Sequence, residues 1–264
     1  MRLEDKVAIV VGAGQTPGET IGNGRATALL FAREGARLML VDRDLASAEE
    51  TADMVRAEGG ECQAFEADIT REEDCHAYSQ ATVAAYGRID VLHNNVGIGI
   101  RDAGPSNVEL EDFERILDVN LKGTMLSCKH ALPILRKQLS GSIINISSIA
   151  AVCAVGMTAY KASKAAVNAL THTIAMGNAR YNVRANVIMP GLMNTPMAIE
   201  GISAARGVSK AELVAERDAR VPLGGKMGTA WDVAHAALFL ASDESKFITG
   251  VMLPVDGGQS ARIG

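Results

Sequence analysis

Compact apolar runs alternate with segments of helical periodicity along almost the whole chain. The apolar runs predict strands at residues 6–12, 37–42, 61–68, 89–94, 142–147, 182–189 and 251–255. Apolar side chains recur at helical spacing in residues 24–34, 45–58, 72–86, 109–139, 158–179 and 231–242. Strands that are apolar on both faces and separated by helices indicate a parallel sheet covered on both sides. We therefore predict an α/β fold with a doubly wound parallel sheet of about seven strands.

Two stretches depart from this rhythm. Pro133 lies inside the helical region 109–139, so we expect a kink or break there. Residues 194–228 mix short helical pieces with several glycines, which predicts a substrate lid above the sheet. Because neither a linker nor a repeat is visible, we expect residues 1–264 to form a single catalytic domain.

Composition and charge narrow the possible partners. The chain has 264 residues, 48% of them hydrophobic, and a net charge of −5 without a basic stripe. Nucleic acid is therefore not an expected partner. Without a signal-like N-terminus or a membrane-length apolar run, we expect a cytoplasmic protein with no membrane partner. The four cysteines lack metal-ligand spacing, which favours free thiols and predicts no metal site.

A glycine-rich loop follows the first predicted strand and leads into a helix. It begins at Gly12 and continues to Gly24. Glycines let the backbone approach a pyrophosphate, and the N–H groups of the following helix point at the anion. Glycines also simply make turns, but the position between a strand and a helix favours a dinucleotide site.

Asp42 ends the second predicted strand, thirty residues after Gly12. A carboxylate there can accept both hydroxyls of an adenosine ribose and would repel a 2′-phosphate, which favours NAD over NADP. Arg43 follows directly and could favour the phosphate instead. Asp42 could also cap the next helix, a role that Asp44 could equally fill.

Further motifs follow the later strands in order. Asp68 and Ile69 follow the third strand, Asn94 to Gly97 the fourth, Ser148 the fifth, and Pro190 to Thr195 the sixth. Asn120 lies in the long helical region, and Tyr160 and Lys164 are four residues apart on one helix. With its motifs in this order, the chain resembles the short-chain dehydrogenase/reductase family from about residue 6 to residue 258.

The resemblance implies a Rossmann-type, NAD(P)-binding catalytic domain and a homotetramer. Asp68 and Ile69 would hold the adenine, and Asn94 and Gly97 would line the cofactor beside the first strand. The nicotinamide half would be contacted by four residues after the sixth strand, namely Pro190, Gly191, Met193 and Thr195.

The resemblance also implies a catalytic set of Asn120, Ser148, Tyr160 and Lys164. A free phenol has a pKa of about 10, so Tyr160 needs tuning to act as the general acid/base. The nearby ammonium of Lys164 and a positive nicotinamide would lower that pKa. Ser148 would donate to the substrate oxygen, Lys164 would also bind the nicotinamide ribose, and Asn120 could hold a water that links Lys164 to solvent.

The phosphate loop departs from the family's usual spacing. Gly12 and Gly22 are ten residues apart where four is usual, so about six residues near 15–20 are extra. The longer loop is similar to that of enoyl reductases in the same superfamily, where a Ser/Thr-Ile pair meets the pyrophosphate. Thr20 and Ile21 would fit that role, and Gln15 lies in the same loop as a further candidate contact.

Three functions remain open. The favoured function is an NAD-dependent oxidoreductase that acts on a secondary alcohol or ketone. The second is an enoyl reductase, against which the short Tyr160–Lys164 spacing argues. The third is an NAD(H)-binding sensor without turnover, against which the complete set of catalytic residue types argues. Residues 98–107 and 194–228 would determine the substrate, which their side chains do not identify.

Overall fold

A parallel sheet forms the centre of the computed structural model, which describes residues 1–262. The strands are β1 (Val7–Val11), β2 (Arg37–Asp42), β3 (Cys62–Glu66), β4 (Val91–Asn94), β5 (Gly141–Ile146), β6 (Val183–Pro190), β7 (Met193–Asn194), β8 (Gly228–Thr229) and β9 (Met252–Val255). Seven of them form one sheet in the order β3-β2-β1-β4-β5-β6-β9, and every pairing in it is parallel. The predicted seven-stranded parallel sheet is confirmed.

Helices cover both faces of this sheet, as predicted. They are α1 (Asn23–Arg33), α2 (Leu45–Ala57), α3 (Glu72–Tyr86), α4 (Leu110–Leu117), α5 (Thr124–Gln138), α6 (Thr158–Asn178), α7 (Pro196–Arg206), α8 (Lys210–Asp218) and α9 (Ala230–Ala241). One apolar core joins the sheet to α1, α2 and α9, and a second joins the other face to α3, α5 and α6. Among residues 1–262, no helix has both the length and the apolar character to cross a membrane.

The long helical region is interrupted, but not at its proline. Pro133 lies within the uninterrupted α5, on its exposed side. The irregularity is instead a π-helical turn at Asp118–Gly123, between α4 and α5. The prediction of a break at Pro133 is therefore wrong. Such wide turns occur often at functional sites, and this one contains Asn120.

The segment predicted as a lid contains α7 and α8 and is closed at its base by the pairing of β7 with β8. Its apolar residues mostly pack on one another: Ile199, Leu213, Val221 and Met227 are buried together. Met197 and Leu223 of the same segment remain exposed, by 55% and 76% of their surface. Residues 194–228 therefore have a small apolar core of their own.

Candidate functional site

The sequence motifs meet at one edge of the sheet because the strands are parallel. β1, β4, β5 and β6 are neighbours, and their carboxyl ends all lie on that edge. The crossover direction reverses between β1 and β4, and ligands of such sheets bind at this point. Within residues 1–262, no group of three or more His, Cys, Asp or Glu side chains could hold a metal ion.

Tyr160 and Lys164 share one face of α6, and Lys164 is buried with 2% of its surface exposed. Its Nζ atom lies 5.8 Å from the centroid of the Tyr160 ring. The same Nζ donates a hydrogen bond of 2.9 Å to the carbonyl oxygen of Ile146, the last residue of β5. Burial lowers the pKa of Lys164 to about 8, so its charge is costly unless a partner arrives.

The pKa of the Tyr160 phenol is raised in the protein without its cofactor. Burial raises the pKa of Tyr160, and a hydrogen bond with Ser148 offsets only part of this rise. Lys164 therefore does not lower the pKa of the tyrosine below its usual value in the protein alone. Further positive charge at the site is needed to favour the tyrosinate.

Ser148 lies two residues after the end of β5 with extended backbone, at φ −165°. Its Oγ accepts the N–H of Ala150 at 3.1 Å and so caps the short 3₁₀ turn Ile149–Ala151. The same hydroxyl lies close enough to the Tyr160 phenol to lower its pKa. The capping and catalytic interpretations of Ser148 are therefore compatible, because the cap fixes where the hydroxyl lies.

Asn120 is fully buried in the π-helical turn, and both its amide oxygen and its amide nitrogen form hydrogen bonds. Its Oδ1 accepts the N–H of Ile98 at 2.8 Å, and its Nδ2 donates to the Ile98 carbonyl at 2.9 Å and to Ser163 Oγ at 3.0 Å. The amide therefore fixes the loop after β4. The Asn120 carbonyl accepts Thr124 Oγ1 at 2.8 Å, and like Oδ1 it keeps one lone pair, so the water that would link Lys164 to solvent stays a prediction.

Gly97 brings these groups together. A Cβ at this position would lie 2.7 Å from Lys164 Nζ and 3.7 Å from Asn120 Oδ1. The backbone after β4 therefore passes directly over the lysine, where a side chain would displace the ammonium. This close approach agrees with the predicted place of Gly97 beside the cofactor.

The glycine-rich loop is closely packed at both ends. Gly12 has φ +81°, and a Cβ at Gly24 would lie 1.9 Å from the Gly12 carbonyl oxygen. α1 then begins at Asn23 without a side-chain cap and without an acidic residue in its first turn. Its first N–H groups therefore remain available to an anion, as a pyrophosphate site requires.

The extra residues near 15–20 form a loop that is stabilised by hydrogen bonds within it. Gln15 Oε1 accepts the N–H of Gly22 at 2.8 Å, and Gln15 Nε2 donates to the Thr20 carbonyl at 3.4 Å. The amide of Gln15 is thus used within the loop, and Ile21 packs against the core beside α1. Both side chains support the loop, so Thr20 is the candidate phosphate contact whose side chain has no such role.

Asp42 stands at the end of β2, next to the glycine-rich loop. Its Oδ2 accepts the N–H of Gly14 at 2.9 Å and its Oδ1 accepts the N–H of Asp44 at 3.1 Å. Asp44, rather than Asp42, caps α2 by accepting the N–H of Ser47 at 3.2 Å. A carboxylate offers about four lone-pair positions, so Asp42 retains capacity for ribose hydroxyls.

The residues after β3 and β4 divide between surface and core. Asp68 is exposed and accepts the N–H and the hydroxyl of Thr70, whereas Ile69 is buried against Gly123. Asn94 has its side chain in the core, where Nδ2 donates to Asn145 Oδ1 at 2.8 Å. Its carboxamide therefore ties β4 to β5, so the expected contact of Asn94 with the cofactor would come from its backbone at the strand end.

The segment after β6 passes under the C-terminal turn. Gly191 donates to the Val255 carbonyl at 2.9 Å, and a Cβ there would lie 2.3 Å from Gln259 Oε1. Met193 and Thr195 are each 5% exposed, and Met193 packs into the core beside α9. Pro190 and Gly191 thus present backbone to the cleft. Thr195 precedes α7 without capping it, which leaves the hydroxyl free for the expected contact.

These features fit a dinucleotide better than a simple turn. At Gly12, Gly24 and Gly97 the backbone packs so closely that a Cβ would meet neighbouring atoms at 3.0 Å or less, and α1 presents an uncapped N-terminus. Lys164 is a buried cation, and it donates a hydrogen bond to the Ile146 carbonyl. A cavity of about 790 Å³ lies elsewhere, between the lid base and β9, and none of the four catalytic candidates lines it.

Two positions near the site were not identified from the sequence. Ser147 Oγ donates to the Lys164 carbonyl at 2.9 Å and ties β5 to α6. Asp102 accepts the N–H groups at the start of α6, across more than fifty residues of chain. The adjacency of Ser147 to Ser148 was a visible signal, whereas nothing local marks Asp102.

Comparison with known proteins agrees with this geometry. The family model described as enoyl-(acyl carrier protein) reductase matches residues 19–260. The 3-oxoacyl-(acyl-carrier-protein) reductase FabG of Thermotoga maritima is 38% identical over 98% of this chain and 99% of its own length. A short-chain dehydrogenase/reductase from Burkholderia xenovorans has a similar structure, with a TM-score of 0.94 and 41% identity over 100% of this chain and 99% of that one. NAD⁺-bound xylitol dehydrogenase has a TM-score of 0.90 and 32% identity over 98% of this chain and 100% of that one.

Proposed function

Because this chain belongs to the short-chain dehydrogenase/reductase family, we propose that it interconverts a secondary alcohol and a ketone with NAD(H). The observation that carries the proposal is the convergence of Tyr160, Ser148 and Lys164 at the end of β5. The nicotinamide cofactor supplies the hydride donor or acceptor. The protein must then position the substrate and move one proton at its oxygen.

Each residue has a distinct part in this proposal. Ser148 Oγ donates to the substrate oxygen, and Tyr160 Oη gives or takes its proton. Lys164 binds the nicotinamide ribose hydroxyls and places positive charge beside the phenol. Asn120 acts through its grip on Ile98, and its free carbonyl lone pair is the position at which a water would bind.

We propose NAD rather than NADP because Asp42 ends β2 beside Gly14. The negative charge there disfavours a 2′-phosphate, and its free lone pairs suit ribose hydroxyls. Asp68 and Ile69 would hold the adenine at the neighbouring strand end. Thr20 and the start of α1 would meet the pyrophosphate, and Pro190 to Thr195 would meet the nicotinamide half.

The rim of the cleft supports an apolar, uncharged substrate. Ile100, Val152, Val155 and Met197 are each at least 40% exposed, and they lie on the loop after β4, on the segment between β5 and α6, and on α7. Exposed apolar side chains grouped in this way are typical of ligand-binding grooves. We therefore propose that residues 194–228 act as a lid that closes over an apolar group beside the carbinol carbon.

Turnover of a substrate panel tests this function. The oxidised cofactors NAD⁺ and NADP⁺ are tested with five alcohols, namely 2-octanol, cyclohexanol, xylitol, a 3-hydroxyacyl thioester and a 3β-hydroxysteroid. The reduced cofactors are tested with the matching ketones. NAD-linked turnover of at least one alcohol–ketone pair is expected. Tight NADH binding without turnover on every pair would favour the sensor and contradict the proposal.

The enoyl reductase remains the second candidate, favoured by the extra residues before α1 and by the description of the matching family model. Reduction of a trans-2-enoyl thioester, compared with a 3-oxoacyl thioester of the same chain length, separates the two reactions. The short spacing of Tyr160 and Lys164, with three residues between them, argues against the enoyl reductase and so for the 3-oxo compound.

We further propose a homotetramer of single-domain subunits in the cytoplasm. The tetramer is the assembly that the family resemblance implies, and light scattering of the purified chain measures it directly. All four cysteines are free, three of them buried, which suits a reducing compartment.

A further inference from the structure

Asp102 caps the catalytic helix from a distant loop. It lies between β4 and α4, and its Oδ1 accepts the N–H groups of Thr158 and Ala159, both at 3.1 Å. Its Oδ2 accepts the N–H of Tyr160 at 2.7 Å. Met157, the residue just before α6, makes no side-chain cap. One carboxylate therefore satisfies three N–H groups of the first turn, which an adjacent Ser, Thr or Asp would ordinarily do.

The loop that carries Asp102 is held on both sides. Upstream, Asn120 grips both the N–H and the carbonyl of Ile98. Arg101, just before Asp102, has φ +63° and pairs with Asp112 at 3.1 Å. A non-glycine residue in the left-handed region costs about 1 kcal/mol or more, and such strain persists only where the surroundings hold it. The loop is therefore built to aim the Asp102 carboxylate at α6.

We propose that Asp102 is a positioning residue that sets the place of the Tyr160 hydroxyl, an inference that rests on the proposed function of Tyr160. Tyr160 is the third residue of α6, so a shift of the first turn moves its ring directly. Lys164, one turn further on, is tied independently to the Ile146 carbonyl. Asp102 thus controls the acid/base without controlling the lysine. Misplacement by about 1 Å can cost about 10²-fold in rate.

Steady-state kinetics of Asp102→Ala and Asp102→Asn, with the best substrate of the panel, test this proposal. We expect kcat to fall about tenfold or more in Asp102→Ala while the Kd of NADH stays within about threefold. Asp102→Asn keeps Oδ1 but turns an NH₂ towards Tyr160, so it should recover only part of the rate. Asp90→Asn is the matched control, because Asp90 also accepts a backbone N–H, that of Val7 at 2.9 Å, at the opposite edge of the sheet.

A double-mutant cycle separates positioning from general destabilisation. If Asp102 acts through Tyr160, Asp102→Ala should not lower the residual rate of Tyr160→Phe any further. An equal loss in both backgrounds, or an unchanged kcat in the single variant, would overturn the proposal.

Amide hydrogen exchange measures the hydrogen bonds from α6 to Asp102 and does not require a substrate. We expect faster exchange at Thr158, Ala159 and Tyr160 in Asp102→Ala, with the C-terminal half of α6 unchanged. If the wild-type chain turns over nothing, the proposed function fails. Amide exchange then decides separately: acceleration at Tyr160 supports the positioning role, and unchanged exchange overturns it.

Discussion

Lys164 Nζ donates to the Ile146 carbonyl across 2.9 Å, which joins α6 to the end of the central strand β5. The ammonium is buried, yet the part of the chain that the structure describes gives it no carboxylate partner. A carbonyl stabilises a cation less than an opposite charge would. The protein thus maintains an under-compensated cation where ribose hydroxyls and a phenol would meet it.

That relationship predicts a pH-dependent cost to stability. The pKa of Lys164 is lowered from 10.5 to about 8 in the fold, so the unfolded chain binds more protons between these values. The contribution of Lys164 to stability should therefore rise as the pH rises from about 8 to 10.5. The upper limit of this change is about 3 kcal/mol.

Urea unfolding of the cofactor-free wild type and of Lys164→Met across this pH range measures the effect. The free energy of unfolding of the wild type should increase relative to that of the variant. The quantity to interpret is the difference between the free energies of unfolding of the two proteins, because the titration of groups that they share cancels in it. A difference that is flat or falls with pH would show that the lysine is not destabilised by burial.

Tyr160→Phe should keep the fold and NADH binding and lose at least about 10²-fold of turnover, because the phenol is the proposed proton donor and acceptor. Tyr181→Phe is the matched control, since Tyr181 lies in the turn after α6, away from the strand ends that form the site. Single-turnover rates and NADH titrations of both variants separate chemistry from binding. Near-wild-type turnover in Tyr160→Phe would refute the assignment.

Asp42→Asn should lower the preference for NAD over NADP by at least about tenfold, because it removes the charge that repels a 2′-phosphate. The measurement is kcat/KM with each cofactor at fixed substrate. Asp44→Asn is the control: asparagine caps a helix about as well as aspartate, so this variant removes a neighbouring charge, keeps the α2 cap formed with Ser47 and should leave cofactor preference unchanged. An equal change of cofactor preference in both variants would show that the overall negative charge of this region, and not Asp42 in particular, selects NAD.

Gly24→Ala should weaken NADH binding at least about tenfold, because the new Cβ would lie 1.9 Å from the Gly12 carbonyl oxygen and the phosphate loop must move. Gly177→Ala is the control. It lies within α6, and its Cβ would meet nothing within 4 Å, so it should stabilise the chain by about 0.5–1 kcal/mol. Calorimetric titration with NADH and thermal unfolding distinguish the two variants.

The fold and the outline of the site were predictable because their signals are local. Apolar runs identified β1, β2 and the later strands, and parallel strands necessarily bring their carboxyl ends to one edge. Tyr160 and Lys164 share a helix face through their spacing of four residues alone. Asp42 and Gly24 could be placed at the phosphate end because each directly follows or precedes an element with a clear pattern.

Other features depend on contacts between residues far apart in the chain, which no local pattern encodes. The long helical region is interrupted at Asp118–Gly123, whereas Pro133 lies within α5. The amide of Asn120 binds the backbone of Ile98, 22 residues away, and so fixes the loop after β4.

The electrostatics of the site likewise came from the packed structure. The pKa of Tyr160 is raised because burial outweighs its hydrogen bond with Ser148, a balance that depends on the whole surrounding core. The cap on α6 comes from Asp102, which reaches Tyr160 across 58 residues of chain. Residue types and their order along the chain therefore predict the reaction class, whereas burial and long-range hydrogen bonds determine where each atom lies and how strongly it holds its proton.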